Sequence, residues 1–179
     1  MVRKVVVAIF TVGTILLSMA CAKANITTDS KPTPTLNLKA QVVTFLKALD
    51  KVDKQSDAWG KDFSTFMQYS PGMTPMARQT KYQDLLTSFN AIKASVMAVE
   101  RPSVDKARAL HDSYVTQVSK SSQLLTLLQP SVQGIQADNV TVVRIQGLMD
   151  ELTLADTQGQ EARQDLIRQF GLTAFDLAQ

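Results

Sequence analysis

Between residues 36 and 69 the large apolar side chains fall at Leu38, Val42, Phe45, Leu49, Val52, Trp59, Phe63 and Phe66, with Ser56 filling one place in the series. The steps alternate between four and three. Their mean of about 3.5 is nearly one turn of an α-helix, so a helix gathers all of them on one stripe, whereas a strand would scatter them over both faces. Val43, Leu46 and Met67 widen the stripe to the breadth that a bundle core needs. Gly60 costs about 1 kcal/mol relative to alanine in a helix, yet the seam runs through it unbroken. The spacing therefore predicts one helix over 36–69.

The alternation returns three times. Tyr82, Leu85, Phe89, Ile92, Val96 and Val99, flanked by Leu86 and Met97, predict a helix over 75–100. Thr74 stands where an N-cap belongs, with Pro75 at the first helical position, where its missing N–H costs nothing. Val104, Ala107, His111, Tyr114, Val118, Ser121, Leu125 and Leu128, beside Leu110 and Leu124, predict a third helix over 103–129, with Pro130 as its stop. Ile145, Leu148, Leu152, Ala155, Gly159, Ala162, Leu166 and Phe170 predict a fourth over 140–170, capped by Asp138 or Asn139 and ended by Gly171. The tail from Leu172 to Gln179 has room for one more short turn. Val140 to Val143 is β-branched, but a lone strand has nothing to pair with, so the helical reading stands.

The connections set the order. Glu100-Arg-Pro-Ser103 is very short, which makes its helices antiparallel neighbours. Tyr69 to Pro75 is a turn, and 130–138 is the longest connection. The expected fold is all-α: an antiparallel up-down-up-down four-helix bundle over 36–179, with coiled-coil-like seams. Residues 36–110 hold eleven Lys/Arg and seven Asp/Glu, and residues 111–179 hold four and eight, so a basic hairpin is expected to lie on an acidic one. Each exposed pair contributes under about 1 kcal/mol. Trp59 is expected level with Gly147 of the fourth helix, large against small, with a pocket for a small apolar ligand as the functional version.

Ahead of the helices, Arg3 and Lys4 precede an apolar run of thirteen residues from Val5 to Leu17, and Ser18-Met19-Ala20 supplies small residues before Cys21. This is the three-part pattern of a signal peptide over 1–20. Counted on to Ala22 the run reaches eighteen, near the length of a membrane span, so an uncleaved anchor is a second reading. Residues 22–35 are polar, hold Pro32 and Pro34 and lack apolar periodicity, which predicts a flexible tether. Losing residues 1–20 removes Arg3 and Lys4 and takes the formal charge from +3 to +1. The basic sequence pI therefore does not point to nucleic acid.

The segment Leu17-Ser-Met-Ala-Cys21 resembles the lipobox of bacterial lipoprotein precursors, with Ser18 where that class favours leucine. The resemblance implies that Cys21 is lipidated, for example with palmitate, and becomes the first residue of the mature chain. Ordinary cleavage after Ala20 or Ala24 is the alternative. A lipid anchor places the domain outside the cytoplasm, in the periplasm or on the outer side of a membrane. A helix over 36–69 then carries the 69–75 and 130–138 loops about 50 Å from the tether. Ser70, Gly72, Met73, Gln133 and Gly134 in those loops are the candidates for contact with an envelope protein partner.

Little chemistry is on offer. One Cys and one His exclude a disulfide framework, a Cys/His zinc site and c-type haem attachment. A catalytic His111 needs an orienting carboxylate and a nucleophile, and Asp112 points about 100° away around a helix. A four-helix di-iron site needs two Glu-x-x-His motifs, but Arg108 stands three before His111 and there is no second histidine. Met67, Met73 and Met76 are soft donors that suit copper(I) or, with His111, a haem; the competing reading is that they plug one end of a core. The expectation is a non-enzymatic, membrane-tethered lipoprotein without cofactor, acting as a structural, adaptor or accessory module. The alternative is a small-ligand or metal-binding bundle with a sensory or carrier role. The sequence leaves the oligomeric state open.

Overall fold

The computed structural model describes residues 36–178; the leader, Cys21 and the tether lie outside the described residues. Four long helices follow one another: α1 (Leu36–Tyr69), α2 (Pro75–Met97), α3 (Asp105–Val132) and α4 (Asn139–Phe170). A 3-10 turn at Ser70–Gly72 links α1 to α2, and a short α5 (Ala174–Ala178) closes the chain. No strand occurs among the described residues, and none of these helices is long and apolar enough to cross a membrane.

The helix ends follow from local chemistry. Thr74 Oγ1 accepts from the Ala77 N–H at 3.3 Å, and Asp138 Oδ1 accepts from the Thr141 N–H at 2.7 Å. Each satisfies one of the donors that a first turn leaves bare. At the other end of α4, Gly171 takes φ +54°, so its own N–H reaches the Arg168 carbonyl and the next N–H, of Leu172, reaches that of Ile167. Leu172 is thereby buried against the core.

The third helix does not stop at Pro130. It runs two residues further, to Val132. Proline's φ fits a helix, and in the last turn its ring displaces only one backbone bond. Gly134 makes the end instead. At φ +88° it donates to the Ser131 carbonyl while Ile135 donates to that of Pro130. The connection before α3 is also longer than expected: α2 ends at Met97, not at 100, and α3 begins at Asp105, not at 103. Val99 closes α2 by donating to the Val96 carbonyl, and Val104 is extended at ψ 131°, so α3 starts only after it; between them Pro102 lacks an N–H and keeps Arg101 out of helical geometry.

The apolar core divides into clusters rather than one column. Val52, Phe63 and Phe66 of α1 meet Tyr82, Leu85, Phe89, Ile92 and Val96 of α2 and Val118 and Leu125 of α3. Val42, Phe45, Leu46 and Leu49 of α1 meet Ala107 and Leu110 of α3 and Ala162, Leu166 and Phe170 of α4. Leu124 of α3 meets Ile145, Leu148 and Met149 of α4 in a third. The second half of α1 thus lies on α2, its first half on α4, and α3 touches all three clusters. Each fully buried side chain of this size contributes about 1.5–3 kcal/mol. Ser56, though in the seam, is exposed, and the stripe is broken there.

Trp59 does not face Gly147. Its Nε1 donates to the Leu85 carbonyl at 2.8 Å, and its ring stacks on Phe63 at 5.0 Å and tilts against Phe89 at 5.3 Å. The indole N–H needs a partner in a half-buried site, and α2 offers a carbonyl. Gly147 is exposed, and a Cβ there would meet nothing within 4 Å. The small residue that works in packing is Gly159: a Cβ at that position would collide with Ser113 Oγ of α3. Along this stretch the two backbones approach closely, and Lys106 pairs with Asp165 while Lys120 pairs with Glu151. Fourteen residues forward on α3 correspond to fourteen back on α4.

Candidate functional site

The candidate contact residues sit where α1 gives way to α2 and α3 to α4. Ser70 and Gly72 form the 3-10 turn, Met73 follows it, and Gln133 and Gly134 follow α3. Gly72, Gln133 and Gly134 are exposed, Ser70 and Met73 half-buried. Arg78 brings the two connections together. Its guanidinium donates from Nε to the Ser70 carbonyl at 3.0 Å, from Nη2 to Met73 at 3.3 Å and from Nη1 to Val132 at 3.4 Å. A planar fork suits three fixed carbonyls, and its charge suits the negative end of α3.

Met67 and Met73 pack against the α1–α2–α3 cluster. Met76 is 80% exposed. His111 lies apart from them on α3, with its side chain 13% exposed. Its Nδ1 has no hydrogen-bond partner. Asp112 Oδ1 stands 3.7 Å away, beyond hydrogen-bond range, and accepts from Arg101 at 2.9 Å. The hydroxyl next in sequence, Ser113 Oγ, is buried against Gly159 without a partner. Histidine, acid and hydroxyl are thus consecutive without forming a relay. Among the described residues no group of three or more His, Cys, Asp or Glu is placed to hold a metal ion.

The most connected polar group lies between the clusters. Arg163 of α4 donates to Asp50 at 2.7 Å and to Asp53 at 2.9 Å, both on α1. Tyr114 of α3 donates its hydroxyl to Asp53 at 2.6 Å and accepts from Arg163 at 3.2 Å. Burial raises the Asp53 carboxyl above its ordinary range, and Arg163 and the Tyr114 hydroxyl oppose that rise. Burial alone disfavours the Arg163 charge, but Tyr114, Asp53 and Asp50 outweigh it, so the guanidinium is held more firmly protonated. Burial first, then Asp53, pushes the Tyr114 phenol upward. Arg163, Asp50, Asp53 and Tyr114 thus fasten α1, α3 and α4 to one another.

That network also corrects the simple charge expectation. Lys39–Asp176, Arg101–Asp112 and Lys106–Asp165 do set the basic first half against the acidic second. The better-enclosed pairs run the other way, with the cation on α4 and the acids on α1.

A shallow groove between α3 and α4 is lined by Lys120, Leu127, Arg144, Gly147, Leu148 and Glu151. It lies beside the first half of α4, whose buried side chains cluster with α3. Neither a protein-family model, nor a curated protein, nor a solved structure matches this chain.

Proposed function

We propose that this chain is a non-enzymatic, membrane-tethered extracytoplasmic lipoprotein that works by contact, as a structural, adaptor or accessory module. Its four helices are read as an antiparallel up-down-up-down bundle. The opposed numbering of the α3–α4 pairs supports that order, as does the pairing of early α1 with late α4. The leader and the segment ending at Cys21 support the lipid anchor.

The observation that carries the contact reading is the make-up of one end of the molecule. Six of the nine large apolar side chains that are exposed among the described residues flank the two connections joined by Arg78: Tyr69, Met76, Ile135, Val140, Val142 and Val143. Charge is scarce there. Arg78 is the only charged residue between Asp62 and Lys81, and Asp138 the only one between Lys120 and Arg144. Both are engaged with backbone groups. Depletion of charge with exposed aliphatic, aromatic and methionine side chains is the composition of a protein interface core. The opposite end, where α1 begins and α4 ends, carries Lys39, Lys106, Asp165, Arg168 and Asp176. On this reading the charged end lies towards the lipid surface, and the apolar end meets the partner about 50 Å away.

A photo-crosslinking amino acid placed at Ser70 or Gln133 in the full chain, in cells, tests it. Both positions should capture one and the same envelope protein, and the same group at Gln169 should not. Capture of nothing specific from either distal position contradicts the reading.

A further inference from the structure

We propose that the outer face of the first half of α4 is a self-association surface, on which a second copy of this chain lays its own α4 in the opposite direction, crossing at Gly147. Among the described residues this half of α4 packs its apolar side on α3, and its outer stripe stays exposed. Val140 is 68% exposed, Val143 70% and Leu154 58%; Arg144, Gly147, Asp150 and Glu151 between them are exposed too. At 100° per residue all seven fall within about 60° of Gly147 on the helix surface.

The occupant is identified by the symmetry of the stripe. A two-fold axis through Gly147 sets each residue before it opposite the residue equally far after it on the other copy. Val140 and Leu154 are both seven residues from Gly147, so each valine meets a leucine. Arg144 and Asp150 are both three residues away, so each guanidinium meets a carboxylate. Val143 lies against the aliphatic stem of Glu151, whose carboxylate is held by Lys120 of its own chain. A parallel pairing would set Arg144 on Arg144 and Asp150 on Asp150, so charge selects the antiparallel one. Arg144 makes no ion pair among the described residues and is free to serve this one.

Gly147 fits the crossing point. It is an exposed residue inside a helix, with open space where its Cβ would be, so the packing of the described residues does not call for the residue least suited to a helix apart from proline. A glycine there lets two backbones come close, and the groove beside it gives a partner side chain somewhere to seat. The pairing sends the two α4 helices apart. From Gly147 to Phe170 is 23 residues, about 35 Å. The two charged ends are therefore about 70 Å apart and point away from each other. Copies anchored on facing surfaces meet in this way; that consequence, unlike the pairing itself, rests on the tether proposed above.

The test uses the full chain in non-ionic detergent. Sedimentation should show a reversible monomer–dimer equilibrium. Gly147→Cys under mild oxidation should give a disulfide between the two 147 positions, identified by peptide mass and so distinguished from any bond through Cys21; Ser88→Cys on α2 should not. Arg144→Asp should weaken the dimer by about tenfold, and adding Asp150→Arg to it should restore the dimer. A chain that stays monomeric to about 100 μM overturns the proposal, and so does a charge swap that fails to restore pairing in a variant whose helix content is unchanged. Capture of a different protein at position 147 in place of the second copy also overturns it. In a second arm, vesicles bearing the lipid-anchored chain should cluster. If they do not while the dimer forms in detergent, the meeting of copies from facing surfaces fails and the pairing stands.

Discussion

Gly159 and Gly147 lie on one helix and do opposite things. Gly159 stands where α4 crosses Ser113 so closely that a methyl group has no room. Gly159→Ala should lower stability by about 1–3 kcal/mol, and adding Ser113→Ala, which removes the obstructing hydroxyl, should recover most of it in urea melts. Gly147→Ala should instead raise the stability of the monomer, by up to about 1 kcal/mol. The seam spacing already places Gly159 inside and Gly147 one step off the stripe; what it does not carry is which residue each one faces, so Trp59 had no visible reason to turn to α2. The same limit hides the Arg163 cluster. Asp50 and Asp53 lie more than a hundred positions from Arg163, and no local pattern links them. Arg163→Met should cost about 1–2 kcal/mol near neutral pH, because it leaves two carboxylates facing each other. The sign of the pH effect follows from Asp53. Burial already raises its folded pKa, so the native state gains stability as pH falls through that value. Without Arg163 the rise is larger, and the gap between wild type and variant should narrow as pH falls from neutrality towards the ordinary carboxylate range. A gap that stays constant over that range contradicts the assignment.

At the scale of an element, the starts of α2 and α4 were legible, whereas the end of α2 and both ends of α3 were not. Thr74 before Pro75, and Asp138 three residues ahead of Thr141, are local chemistry that acts wherever the chain goes. Thr74→Ala should accordingly lower stability by about 1 kcal/mol, read as a lower thermal midpoint. The end of α3 turns on two residues that both break helices. Pro130 is the louder signal, but it only removes a donor. Gly134 supplies the left-handed turn that satisfies the last carbonyls. Arg78 was invisible for a different reason: its partners are backbone carbonyls, which leave no mark in a sequence. Arg78→Lys should fail to replace it, since an ammonium group does not present the guanidinium's fixed fork of donors. Amide exchange should then quicken at residues 70–73 and 132–135 while core amides of α1 and α3 keep their protection. Uniform protection across the variant would show that the clamp is idle.

For the whole molecule, the four seams were enough to specify an all-helical chain with four long helices, because a step of three or four has only one secondary structure that buries it. They did not specify how the core divides. Each seam is a stripe without an address, and only the structure pairs the second half of α1 with α2 and the first half with α4. Among the described residues that division packs the first half of α4 on α3 and gathers exposed apolar side chains at the end that Arg78 closes. In the proposed function this end belongs to a chain held at a membrane through Cys21, and one measurement bears on that most directly. The full-length chain is expressed in a bacterial host fed labelled palmitate, and the cells are fractionated. Wild type should carry label and sediment with membranes, while Cys21→Ser should carry none and leave them. Unlabelled wild-type protein in the cytosol, with Met1 to Ala20 still attached, would contradict the account.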